Sequence, residues 1–258
     1  RELGFTTGVI DIHCHVLPGL DDGPPNMPGA LAMAEAALAS GTTTLVATPH
    51  VDQVWHVRLP SIAQRAGALR EALQEQGIEL QIETGAEIAL SRVADLSHEE
   101  LSAIRLGSGP YLLLECPLSP AGGDFDSMLL RIHESEPSIV LAHPERSPLL
   151  QQEPERLERL VAEGLLCSLT AGSLTGVFGE RVRRFSIELL REGLVHDLSS
   201  DAHDHVRRPP GIGEALASAE DELPGISAQR EWLTELVPAA ILAGEPLPAR
   251  PARDGAPD

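Results

Sequence analysis

His13 and His15 are separated by one residue, and so are Asp201 and His203. Residues two apart in extended chain point the same way, so each pair can present two ligands to one cation. Other candidate groups follow short apolar runs elsewhere in the chain: His50, Glu87, Glu115 and His143, with Arg146 three residues beyond the last. Imidazole and carboxylate without thiolate suit Mn, Fe or Zn, and the carboxylate share leans towards Mn or Fe. Taken singly, each has an ordinary explanation. A His-x-His pair arises by chance, a glutamate closes a salt bridge, and an arginine pairs with a surface carboxylate. Six separate runs ending in suitable ligands are another matter, and together they point to a metal site.

The elements that must position these groups follow one pattern. Short runs rich in Val, Ile and Leu occupy residues 9–12, 44–47, 80–82, 111–114, 138–141, 166–169 and 194–198. Their length and apolar character predict strands buried on both faces. Between them lie segments of helical period. Ser61 is expected to cap a helix carrying Ile62, Ala66, Leu69 and Leu73 on one face and ending at Gly77. Residues 27–40 read as an Ala-rich helix stopped by Gly41. A helix after Gln152 carries Leu157, Leu160 and Val161 up to Gly164, and another carries Val182, Phe185 and Leu189 up to Gly193. Seven strand–helix alternations imply an α/β fold with parallel strands. In a parallel barrel the carboxyl ends of the strands converge on one face, where catalytic groups sit. Residues 9–245 are expected to form one domain, with 1–8 a loose lead-in and 246–258, rich in Pro, Ala, Arg and Asp, a disordered tail.

Composition narrows the chemistry. The 258 residues carry 39 acids against 19 bases, a net charge of −20, and every base is Arg. Without Lys there is no phosphate-loop lysine, no Schiff base and no carboxylated lysine bridging two metals. The acidity argues against nucleic acid or an anionic membrane surface as partner. No apolar run is long enough for membrane insertion. Three cysteines, Cys14, Cys116 and Cys167, suit a reducing, cytoplasmic compartment rather than a disulfide framework. None has an Arg six residues on to cradle a phosphate, since positions 20, 122 and 173 are Leu, Gly and Ser. Cys14, between two candidate ligands, should point away from them into packing. His56, His98, His133, His196 and His205 read as structural or solvated, with His56 and His205 close enough to the motifs to contact a substrate.

At these residues the chain resembles the polymerase and histidinol phosphatase (PHP) superfamily. Within it, the likeness is to the manganese-dependent bacterial protein-tyrosine phosphatases of capsule and exopolysaccharide gene clusters. The resembling stretches are Ile-Asp-Ile-His-Cys-His-Val-Leu-Pro-Gly-Leu-Asp-Asp-Gly at 10–23, Ala-Thr-Pro-His at 47–50, Gly-Ala-Glu-Ile at 85–88 and Leu-Glu-Cys-Pro at 114–117. They continue with Ala-His-Pro-Glu-Arg at 142–146, Thr-Ala-Gly-Ser-Leu-Thr-Gly-Val-Phe-Gly at 170–179, Ser-Asp-Ala-His at 200–203 and Arg-Pro-Pro at 208–210. The resemblance implies the PHP fold, a distorted TIM-like (β/α)7 barrel with up to three metal ions, Mn2+ with Fe or Zn as alternatives. It assigns His13, His15, Glu87 and Asp201 to one metal. Glu87 bridges to a second with Glu115 and His143, and Asp22, His50 and His203 hold the third. Asp22 comes from the resemblance alone. Arg146 and Arg208 match arginines that bind phosphate and take part in catalysis. Residues 51–58 follow no family pattern, and Leu236 and Val237 stand before Pro238 where relatives often carry Asn.

The implied reaction is hydrolysis of phosphotyrosine by metal-activated hydroxide, with Arg146 and Arg208 gripping non-bridging oxygens. A tyrosyl leaving group, with a pKa of about 10, makes a dedicated general acid dispensable; His205, Asp204 and His56 are the candidates should one act. The implied partner is a phosphotyrosine protein, by analogy a tyrosine autokinase of polysaccharide export, and a homo-oligomer stays open. The alternatives are a histidinol-phosphate-like phosphatase, a TatD-like metal-dependent nuclease and a non-catalytic PHP module.

Overall fold

The computed structural model describes residues 8–119, 124–136 and 138–252. All seven apolar runs contain strand, and the chain adds two short strands of its own. The strands are β1 Val9–Cys14, β2 Thr42–Ala47, β3 His50–Val51, β4 Gln81–Thr84, β5 Glu87–Ala89, β6 Leu112–Glu115, β7 Ile139–Ala142, β8 Leu166–Thr170 and β9 Asp197–Ser199. They form two wholly parallel sheets, one ordered β1-β2-β4 and the other β3-β5-β6-β7-β8-β9. The fold is therefore α/β with parallel sheets.

The extra strands arise because two runs break and resume. Thr48-Pro49 separates β2 from β3, and Gly85-Ala86 separates β4 from β5. Proline has no N–H to give to a ladder, so pairing must pause there. The backbone bridges the gap: Thr48 N donates to Cys14 O at 2.9 Å, Gly85 N to Ala47 O at 2.9 Å and Glu87 N to Pro49 O at 3.2 Å. At the other extremity, Asp201 N donates to His13 O and His15 N to Ala202 O, both at 2.9 Å, which ties the chain beyond β9 to the end of β1.

Helices cover the sheets. The helix Leu59–Gln76 buries Ile62, Ala66, Leu69 and Leu73, and Gly77 closes it in the left-handed region at φ 68°. Its start differs from the expectation: Ser61 lies in the first turn, the boundary residue is Arg58, and Pro60 occupies an early position where its missing N–H costs nothing. The helices Met27–Ala39, Glu155–Ala162 and Glu180–Arg191 fall where helical periodicity placed them, though Val182 is only half-buried. A π-helical turn at Trp232–Leu236 precedes Val237–Ala243. Pro238 cannot donate back to the preceding turn, which accounts for the widened backbone. Ile12, Leu45, Leu69, Ile88, Leu112, Leu113, Leu114 and Leu129 are among the fully buried side chains of one continuous aliphatic core.

Of the tract expected to be a free tail, residues 246–252 are instead held. The Pro248 carbonyl accepts from Trp232 Nε1 at 2.9 Å, the Pro251 carbonyl accepts from Gln229 Nε2 at 2.8 Å, and Arg250 lies 4.2 Å over the Trp232 ring. The remainder, 253–258, and lead-in residues 1–7 lie outside the described residues. No helix among the described residues is long and apolar enough to cross a membrane.

Candidate metal centre

The parallel register brings the expected groups to one end of the sheets. His50 and Glu87 are paired neighbours on β3 and β5, and Glu115 ends β6 opposite Ala89 and Ala142. His143 follows β7, while Asp201 and His203 lie just beyond β9. His13 lies within β1 and His15 just past it, their Nε2 atoms 3.3 Å apart. Cys14 between them is fully buried on the other side, its Sγ 3.8 Å from the Ala202 carbonyl. Burial pushes the thiols of Cys14, Cys116 and Cys167 well above the usual range, so none is a ready nucleophile.

Glu87 is the hub. Its Oε1 lies 2.7 Å from His143 Nε2; its Oε2 lies 3.0 Å from His50 Nδ1 and 3.4 Å from Nε2 of both His13 and His15. Burial opposes its ionisation, but the charge of nearby His13 and the hydrogen bond from His143 hold the carboxyl well below the usual range. Asp22 Oδ1 lies 3.3 Å from His203 Nε2 and 3.5 Å from His50 Nε2. Despite partial burial, the His203 contact brings its carboxyl down to about 2. Burial, then the charge of Glu87, pushes Glu115 up to about 7. Asp201 faces two ways: Oδ1 lies 3.6 Å from His13 Nε2, His15 Nε2 and His203 Nδ1, while Oδ2 accepts from Arg146 Nη1 and, at 2.5 Å, from Arg208 Nη2.

This arrangement fits divalent cations. Ligands held about 2.1 Å from a metal stand about 3.0 to 3.4 Å apart in octahedral or tetrahedral geometry, close to the 3.0–3.6 Å separations here. His50 Nδ1 and Glu87 Oε2, which face each other across 3.0 Å inside the cluster, are buried without a hydrogen-bond partner. Such atoms are costly unless something else satisfies them. Against burial, the hydrogen bond that His15 gives to Asp21 and the neighbouring Glu87 carboxylate raise His15 to about 10, the mark of a cage that draws positive charge.

Among the described residues, three donor groups could each hold one cation: His15, Asp22, His50 and His203; His13, His15 and Glu87; and His50, Glu87 and Glu115. The grouping differs from the expected one in that His15 stands with the Asp22 set as well as with His13. Likewise, His50 stands with Glu115 as well as with Asp22.

Several contributing residues carried no signal in the runs. Asp21 accepts from His15 Nδ1 at 2.7 Å, from His50 N at 3.0 Å and from Gly23 N at 3.1 Å, and so orients two ligands. A side chain at Gly23 would collide with the His15 carbonyl, which explains the glycine after the Asp-Asp pair. Asp11 accepts from Ser200 N and Oγ at 3.0 and 2.5 Å and ties β1 to the Asp201 loop. Glu145 is fully buried and accepts from Thr170 N at 3.0 Å and Ser173 Oγ at 2.7 Å, and burial pushes it up to about 7. The Asp-Asp doublet and the Glu beside Arg146 were visible, but nothing in their spacing told an orienting carboxylate from a solvated one.

The remaining histidines stand apart. His98 Nδ1 lies 2.8 Å from Glu136 Oε1, His133 Nε2 lies 3.0 Å from Glu163 O, and His196 Nδ1 accepts from Cys167 N at 3.2 Å. His56 and His205 are exposed, and Asp204 is committed to the turn after it through Val206 N and Arg207 N.

A family model described as capsular polysaccharide synthesis, CpsB/CapC, matches residues 9–230. The tyrosine-protein phosphatase YwqE of Bacillus subtilis is 32% identical over 215 residues, covering 83% of this chain and 85% of that protein. A solved structure from work on YwqE of Bacillus subtilis and CpsB of Streptococcus pneumoniae, described as unique metal-dependent tyrosine phosphatases, superposes with a TM-score of 0.78 at 30% identity. That superposition covers 92% of this chain and 96% of the other. A histidinol phosphate phosphatase from Lactococcus lactis shares the fold alone, at a TM-score of 0.54 and 14% identity over 83% of this chain and 93% of its own.

Proposed function

The chain belongs to the capsular polysaccharide synthesis CpsB/CapC family, and from that premise we propose that it is a metal-dependent protein-tyrosine phosphatase. The observation that carries the proposal is the shared position of Asp201. One of its oxygens faces the buried imidazoles around Glu87, and the other holds two arginines. A cation site and an anion grip thus meet at one carboxylate, which is the need of a phosphomonoester. Residues 9–245 are read as one phosphatase domain. Its two sheets, tied by the hydrogen bonds of His15 N to Ala202 O and Asp201 N to His13 O, are read as a distorted barrel of seven β/α units.

His13, His15, Asp22, His50, Glu87, Glu115, His143, Asp201 and His203 would hold up to three divalent ions, with Mn2+ preferred by the carboxylate-rich set. When bound, such ions lower the pKa of water towards neutrality and offset negative charge on phosphoryl oxygens. Asp21 fixes the His15 ring so that Nε2 faces the cluster. Arg146 and Arg208, with 17% and 28% of their side chains exposed, are open enough to meet a phosphate. Their planar guanidinium forks suit non-bridging oxygens bidentately. The aryl leaving group departs at a pKa of about 10 without a proton from the protein. The commitment of Asp204 to its own turn agrees with that reading.

The substrate would be a phosphotyrosine protein, by family analogy a tyrosine autokinase of polysaccharide export. The three cysteines, all free and buried, agree with a reducing cytoplasmic setting. Purified protein supplied with Mn2+ should release phosphate from phosphotyrosine peptides. Hydrolysis of histidinol phosphate or DNA in place of phosphotyrosine would overturn the assignment.

A further inference from the structure

The segment 170–179 belongs to the family pattern, yet neither the metal cluster nor the phosphate grip uses any of it so far. After β8 the chain makes a short helix, Ala171–Leu174, and a tight loop before the helix Glu180–Arg191. The loop is closed by Val177 N to Gly172 O at 3.0 Å and Gly179 N to Gly176 O at 2.9 Å. Gly176 and Gly179 adopt φ of 83° and 92°, a backbone that glycine enters freely, and they carry the chain around Phe178. Its ring meets both arginines: Arg146 Cζ lies 4.4 Å from the ring centroid and Arg208 Cζ 5.6 Å from it.

Two guanidiniums that donate to one oxygen of Asp201 repel each other, and partial burial strengthens that repulsion. A carboxylate on one side and a π face on the other oppose it. Beside the ring is a cavity of about 160 Å3 lined by Thr175, Val177, Phe178 and Arg208 among others, which leaves Arg208 room to turn.

We propose that Phe178 is a positioning residue. Its π face keeps Arg146 and Arg208 side by side as they turn from Asp201 to the phosphoryl oxygens of the substrate. The proposal rests on the phosphatase reading and adds a residue that touches neither metal nor phosphate. Its action is on the preorganisation of the anion grip, so it should appear in phosphate affinity before it appears in turnover.

The test compares Phe178→Leu and Phe178→Met, which keep apolar bulk but lose the π face, with Phe178→Trp and Phe178→Tyr, which keep it. Calorimetric titration of inorganic phosphate into Mn2+-loaded protein gives Kd directly. Steady-state kinetics on a phosphotyrosine peptide separates KM from kcat, and thermal melting reports folding. Cation–π contacts of about 1 to 2 kcal/mol predict a rise of about 5- to 30-fold in phosphate Kd and in KM for Leu and Met. Trp and Tyr should stay within about threefold of the parent protein, since either ring supports the contact. If one aliphatic variant fails to fold, the other carries the comparison. Aliphatic variants that bind phosphate as the parent does, or a Trp variant as weak as Leu, would overturn the proposal. Parent protein that binds phosphate but leaves phosphotyrosine intact refutes the substrate reading instead, and the Kd series still decides the role of Phe178.

Discussion

Asp21→Asn probes whether a carboxylate with no direct place among the ligands nonetheless sets metal affinity. The wild-type side chain is fully buried; its Oδ2 accepts from His15 Nδ1 at 2.7 Å and from His50 N at 3.0 Å, and its Oδ1 accepts from Gly23 N at 3.1 Å. In the metal-loaded site, where His15 must be a neutral imidazole to act as a ligand, these bonds keep its proton on Nδ1 and leave Nε2 to the cation. Asparagine cannot satisfy all three. With its oxygen towards His15 and His50, its NH2 meets the Gly23 N–H. With the amide flipped, the NH2 meets Nδ1, and the imidazole proton moves to Nε2, inside the cluster. A hydrogen bond to a charged group is worth about 1.5 to 3 kcal/mol, or about 13- to 160-fold in affinity, which overlaps the usual loss of about 10- to 100-fold when the outer partner of a ligating histidine is removed. Titration of Mn2+ into chelator-stripped protein by calorimetry should show that loss. Long-range 1H–15N spectra of the imidazoles in protein loaded with diamagnetic Zn2+ should show the His15 tautomer changing or becoming mixed. Affinity within twofold of wild type with an unchanged tautomer would refute the reasoning.

Three further outcomes are expected. His143→Ala removes the ring 2.7 Å from Glu87 and should lower turnover at least about 100-fold with the far-ultraviolet circular dichroism unchanged; retained turnover would remove His143 from the site. Burial, with Arg250 adding to it, pushes His196 down to about 4 from 6.5, so the unfolded chain binds a proton that the folded chain refuses between those values. Stability should therefore fall as the pH drops from 6.5 to 4, by up to about 3 kcal/mol from this residue, and urea titrations should show His196→Asn losing that part of the acid sensitivity. Leu69→Ala, at a fully buried position of the helix Leu59–Gln76, should lower the free energy of unfolding by about 2 to 5 kcal/mol while leaving Mn2+ affinity unaltered, as read by denaturation and calorimetry.

How far the chain could be read beforehand depended on whether a residue's role shows in local spacing. His13, His15, Glu87, Glu115 and His143 lie in strands or at their ends, and apolar runs mark strands well. Asp22 lies in a loop, where no periodicity applies, and only the family resemblance pointed to it. Asp21, Asp11 and Glu145 act through bonds to backbone and side chains distant in sequence, such as Asp11 to Ser200 and Glu145 to Thr170, and such partners emerge only once the chain is folded. The strands β3 and β5 are two and three residues long, too short for a hydrophobic pattern, and they exist because their neighbours offer a ladder. Ser61 misled because a good capping residue can sit just inside a helix whose start is set by Pro60. The tract 246–252 is proline-rich and short of large apolar residues, yet it is fastened by Trp232 and Gln229, which no composition rule anticipates.

Among the described non-glycine residues, three have a positive φ: His56 at 50°, His143 at 36° and Asp201 at 49°. Histidine and aspartate enter that region more readily than most, but glycine occupies it freely, and the difference is on the order of 1 kcal/mol per site. Two of the three, His143 and Asp201, are among the residues proposed to hold metal. The positions at which a glycine would most readily harden this protein against heat are therefore ones where glycine would remove the chemistry. A screen for thermal tolerance alone would drift towards silent protein at 143 and 201. A screen that also demands turnover would have to find its gains elsewhere, in the helices and the fastened C-terminal tract, and would leave these two strained turns in place.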